Sequence, residues 1–142
     1  MFVDPIGDAR LVPRAEIEPW LVALQFEAYV QMIEEYWRLI LANADSTVTQ
    51  AALASLCRTP KEAVLSALDN IFVFNPAAAL LSYQGPMQTI VSGLPDDPGA
   101  LHHVIPGLPH VALPGTSHWL QMDQPEEFNR LMEEFLRTLS TE

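Results

Sequence analysis

Cysteine is almost absent from this chain. Cys57 is the one residue of that type among 142, which excludes an intrachain disulfide and leaves too few thiolates for a cysteine-based zinc site. Its neighbours Leu53 and Leu56 set it in an apolar helical pattern, so it is expected as a small buried hydrophobe and not as a reactive thiol. Basic residues are scarce as well. Seven Lys and Arg against 18 Asp and Glu leave a formal net charge of −11, a balance that argues against a nucleic-acid or anionic-membrane surface, which needs clustered cations. Pairs such as Glu34-Glu35 and Glu133-Glu134 are expected on solvated helix faces. Also missing are an apolar run of the roughly 18 residues that cross a bilayer and an N-terminus built like an export signal. A chain without a membrane segment, in the cytoplasm, is the expectation.

What is present suits a globular domain: 49% of residues are hydrophobic and 18% charged, enough apolar material for a real core. Met1-Phe2-Val3 followed by Asp4-Pro5-Ile6-Gly7-Asp8 reads as the end of a strand and its turn, residues 1–10. From 14 to 82 the pattern is helical. Pro19 suits a first helical position, with Trp20, Leu21, Leu24 and Ala28 following at three- and four-residue steps. Tyr29 to Leu41 carries Met32, Ile33, Tyr36, Trp37 and Ile40 on one face. Asp45-Ser46 looks like a cap for a helix through Cys57. Thr59-Pro60-Lys61-Glu62 has the spacing of a capping box for a helix to about Phe72, and Asn75-Pro76 caps a short helix ending near Ser82.

The character changes over 83–142. Met87 to Val91 is an apolar run bounded by Pro and Gly, as in a buried parallel strand. A turn and a short helix lead to a second strand, His110 to Leu113. A final amphipathic helix runs from Gln124 to Leu139, with Asp123 and Glu126 placed for an acidic cap. Each strand ends in a loop carrying polar chemistry. Ser92-Gly93-Leu94-Pro95-Asp96-Asp97 follows the first, and Gly115-Thr116-Ser117-His118-Trp119 follows the second. A histidine and a carboxylate on such loops are two parts of a nucleophile–histidine–acid triad. Two strands and an N-terminal stub make an incomplete parallel sheet with open edges.

These segments resemble the C-terminal portion of α/β-hydrolase fold enzymes. Gly93-Leu94-Pro95-Asp96 is similar to the family's acid loop. Gly115-Thr116-Ser117-His118-Trp119 is similar to its histidine loop, and Pro125-Glu126-Glu127-Phe128-Asn129 to the opening of the helix that follows. Phe2-Val3-Asp4-Pro5 looks like the strand and turn after the nucleophile helix, and residues 14–82 occupy the place of the inserted helical cap. The resemblance implies an α/β fold made of a helical cap followed by strand-helix-strand-helix. It also implies hydrolysis of an ester or related bond, with His118 as general base and Asp96 as the acid that orients it. Asp97 and Asp4 are the alternatives for the acid. The family's G-x-S-x-G elbow is missing: Ser46, Ser55, Ser66, Ser82, Ser92, Ser117 and Ser140 have no such flanks. The nucleophile is therefore expected from a missing N-terminal hydrolase half. The alternative is a non-catalytic remnant that buries its open sheet by self-association.

Trp119 and, among the aromatic residues of the cap, Trp37 are the candidates for lining a small hydrophobic substrate; packing under the final helix is the competing role for Trp119, and core packing for the cap aromatics. No organic cofactor is implied. His102-His103 suggests a metal at first sight. Adjacent helical residues point apart, however, no carboxylate stands at ligand spacing, and surface histidines are commoner than ligating ones, so no metal site is expected.

Overall fold

The computed structural model describes residues 1–139. It is a mixed α/β structure, mostly helical, around one small open parallel sheet. The strands are β1 (Phe2–Val3), β2 (Thr89–Val91) and β3 (His110–Ala112), in that spatial order. Phe2 aligns with Thr89, and Thr89 with His110. All three strands therefore end on the same side, where their loops meet.

A short 3-10 helix (Ala9–Leu11) and five α-helices separate β1 from β2: α1 (Arg14–Ala23), α2 (Tyr29–Ile40), α3 (Ser46–Arg58), α4 (Lys61–Ile71) and α5 (Pro76–Leu80). They cohere through apolar stripes, with Leu24, Ile33 and Leu56 buried and Trp20, Met32, Leu65 and Leu68 packed around them. Burying one such aliphatic side chain contributes about 1.5–3 kcal/mol. The capping residues Asp45 and Asn75 behave as their positions suggest. Asp45 accepts from the Val48 N–H at 2.8 Å and Asn75 from the Ala78 N–H at 2.9 Å.

Three local expectations are corrected. Helix α1 starts at Arg14, behind an extended Pro13, so Pro19 lies inside it and not at its first position. Its missing N–H removes a single bond from a helix that buries none of its residues. Thr59 is no N-cap. Pro60 takes that position, and the Thr59 hydroxyl donates back to the Ser55 carbonyl at 3.0 Å. Cys57 is exposed, not buried. The buried stripe of α3 is Val48, Ala52 and Leu56, and the next residue is turned about 100° away from it.

The remaining helices are α6 (Leu101–Val104), α7 (Leu120–Asp123) and α8 (Pro125–Leu139). Leu131 and Phe135 of α8 are buried, Leu131 joining Ile90, Leu113 and Leu120 in the core against the sheet. Its outer face is solvated, Glu133 pairing with Arg137, and Glu134 with Arg130. A third cluster, Leu41, Val48 and Ala52, has Trp37 and Trp119 packed on it and so joins the helical block to the histidine loop.

Candidate functional site

Asp4 leaves the end of β1 with a positive φ of 41°, a left-handed conformation that strains a residue with a side chain and often marks a functional position. Its backbone N–H still donates to the Ile90 carbonyl at 2.7 Å. The carboxylate can therefore reach across the end of β2, where Oδ1 accepts from the Ser92 N–H at 2.7 Å. The second oxygen, Oδ2, lies 2.7 Å from Nδ1 of His118.

The histidine loop is held by a dense polar network. Thr116, fully buried, donates its hydroxyl to the Leu113 carbonyl at 2.6 Å and accepts from the Gly93 N–H at 3.1 Å. Asn43, just beyond α2, donates to the carbonyls of Thr116 at 3.0 Å and Gly93 at 3.3 Å. The His118 N–H donates to the Ile40 carbonyl at 3.0 Å. Gly93 has to be glycine: a Cβ there would collide with the backbone nitrogen of Gly115, and Gly115 itself turns at a φ of 76°. Ser117 is fully buried, and both its N–H and its hydroxyl donate to Asp123 Oδ2 at 2.7 Å. Asp123 thus braces the histidine loop from α7, a correction to its expected place at the cap of the last helix.

The imidazole of His118 is about one-third exposed and Asp4 is mostly covered, at 34% and 15%. With Nδ1 committed to Asp4, Nε2 has no hydrogen-bond partner among the described residues. No serine, threonine or cysteine side chain there bonds to that ring, and the Ser117 hydroxyl is already spent on Asp123. Ser140 lies outside the described residues.

Among the three candidate acids, the structure joins His118 to Asp4 and to neither Asp96 nor Asp97. The reason lies in the loop after β2. The Asp8 N–H donates to the Gly99 carbonyl at 2.8 Å, which draws residues 96–99 towards the turn after β1. Asp97 caps its own turn in the loop after β2, accepting from the Gly99 N–H at 2.7 Å. Asp96 instead meets His103, Oδ2 to Nε2 at 2.8 Å. That imidazole, acting through the hydrogen bond, holds the Asp96 carboxyl below the usual carboxylate range.

Trp37 and Trp119 pack on one another, ring centroids 4.9 Å apart, and Trp119 meets His118 edge-on at 5.4 Å. Two cavities are lined by other residues. One of about 520 Å³ lies between β1 and the end of α4, lined by Phe2, Ile6, Phe74 and Leu101. The other, about 810 Å³, is lined by Trp20, Tyr36, Leu68 and Asp97. Neither is lined by His118 or by the two tryptophans expected to line a substrate site. The bracing roles of Asn43 and Thr116 are not legible in the sequence because Asn43 reaches Gly93 and Thr116, and Thr116 reaches Gly93, across separate elements. The one signal available was Thr116 lying inside the histidine loop.

Compared with protein-family models, curated proteins and solved structures, the chain matches none.

Proposed function

We propose that this chain supplies the acid and the general base of a nucleophile–histidine–acid site for hydrolysis, with Asp4 as the acid and His118 as the base. The Asp4–His118 contact, with Nε2 left without a partner, carries this reading. A carboxylate on Nδ1 places the ring proton there and leaves the Nε2 lone pair to accept a proton from a nucleophile. It also stabilises the imidazolium that forms when that proton arrives. Neither role requires a cofactor.

The nucleophile comes from outside residues 1–142, which hold no G-x-S-x-G elbow. The open side of β1, where Val3 is 41% exposed, is the edge at which a further parallel strand would bring it. An α/β-hydrolase fold completed in this way, with the helical block over its site and an ester or related bond as substrate, is the arrangement this reading implies. The apolar cavity beside β1, with Phe74 and Val73 more than half exposed at its wall, supports the second reading as well: a module that covers this face by self-association.

The ring proton gives the direct test. Nitrogen-15 NMR of His118 is expected to show the Nδ1–H tautomer in the wild-type chain and its loss in Asp4→Asn. An Nε2–H tautomer in the wild type would remove the basis for a general base. The chain alone is expected to hydrolyse short aryl esters no faster than His118→Ala; turnover abolished by that substitution would place the nucleophile inside these 142 residues.

A further inference from the structure

We propose that Asp96, His102 and His103 form a binding site for a divalent transition-metal ion of the zinc class, separate from the Asp4–His118 pair. The three side chains come from two segments, the loop after β2 and helix α6, and one donor atom from each lies within 4.8 Å of the others. His103 Nε2 is 2.8 Å from Asp96 Oδ2, and His102 Nε2 is 3.6 Å from Oδ1. Donors at about 2.0–2.2 Å from a tetrahedral ion lie about 3.3–3.6 Å from one another. The observed spacings bracket that range, so small side-chain rotations close the site.

A second observation points to a ligand. The His102 side chain is only 6% exposed, yet its ring makes no hydrogen bond. Nδ1 is buried without a partner, and Nε2 stands beyond bonding distance from the carboxylate at which it is aimed. A buried polar ring left without partners costs free energy. A metal bond at Nε2 gives that nitrogen the partner the carboxylate at 3.6 Å does not supply; Nδ1 stays buried without one. Burial also lowers the pKa of this imidazole and so favours the neutral form that ligates.

Adjacent histidines diverge on a long helix, but α6 has four residues and passes at Ile105 into extended backbone. The two rings lie 4.1 Å apart between centroids and converge on one carboxylate. His110, the first residue of β3, stacks on His102 at 4.3 Å and 26° and fixes its ring plane. Two imidazoles and one carboxylate, without thiolate, suit zinc, cobalt, nickel or copper; magnesium and calcium prefer all-oxygen sets. The ion would tie the loop bearing Asp96 to α6, at the opposite end of β3 from the loop bearing His118.

Calorimetric titration of the purified, chelator-treated chain with Zn²⁺ tests this. One ion per chain is expected. Asp96→Asn and His103→Ala, both at exposed positions, should each weaken binding at least about 10-fold while leaving far-ultraviolet circular dichroism unchanged. His118→Ala should leave the affinity as it is. Absence of stoichiometric binding would overturn the proposal. So would affinity that survives both substitutions or falls only in His118→Ala, since zinc would then be held by other histidines.

Discussion

Two aspartate–histidine pairs of equally short contact sit in different surroundings in this protein, and the difference separates their chemistry. At Asp4–His118 the acid is mostly covered, its second oxygen is held by the Ser92 amide, and one ring nitrogen remains without a partner. The proposed general-base role rests on that arrangement. At Asp96 the carboxylate is two-thirds exposed at 66% and stands before two imidazoles, one of them buried with no hydrogen bond. A carboxylate that gathers two imidazoles, one hydrogen-bonded to it and one without a hydrogen bond, suits the holding of a cation. Proximity of Asp to His does not by itself assign a role; the remaining partners of each group do.

The largest effect expected from breaking this contrast is on turnover. With the proposed nucleophile-bearing half supplied, Asp4→Asn should lower kcat by about 10⁴-fold, the loss expected when the acid of such a site no longer fixes the tautomer. Asp97→Asn should lower it little, a comparison made by steady-state kinetics on one ester. Asp96→Asn should leave the nitrogen-15 shifts of His118 in place. Next in size is Gly93→Ala. Its Cβ meets backbone and not a flexible side chain, so a loss of about 1–3 kcal/mol is expected in urea unfolding, together with loss of the His118 tautomer. Asn43→Ala removes two hydrogen bonds to backbone carbonyls and should cost about 0.5–1.5 kcal/mol, with the tautomer partly retained.

The smallest effect is the pH dependence of the second pair. Burial holds the His102 pKa below its unfolded value, so the unfolded chain binds the extra proton first. Stability should therefore decline as pH falls below about 6.5, and His102→Leu should flatten that part of the urea-midpoint profile measured without metal. The depressed Asp96 carboxyl adds stability that is full above about pH 4 and is lost at more acid pH, as the pH passes through its folded value.

Much of the helical block is legible in the sequence alone. The stripe around Ile33, the caps at Asp45 and Asn75, and the strand–loop–helix setting of His118 all follow from spacing within about a dozen residues. Where local signals competed, legibility failed. Pro13 and Pro19 both suit a helix start, and Thr59-Pro60 serves the end of one helix and the start of the next. Cys57 sits beside the buried stripe of α3 and outside it, a distinction of one residue in phase.

The sequence by itself determined the apolar periodicities, the turns and the presence of a histidine on a loop between strand and helix, because these depend on near neighbours along the chain. Only the tertiary structure decided which acid reaches that histidine and which histidines gather at Asp96. Asp4 and His118 are 114 positions apart. They meet because parallel pairing in the order β1, β2, β3 brings their loops to one end of the sheet, while the contact between Asp8 and Gly99 draws Asp96 elsewhere.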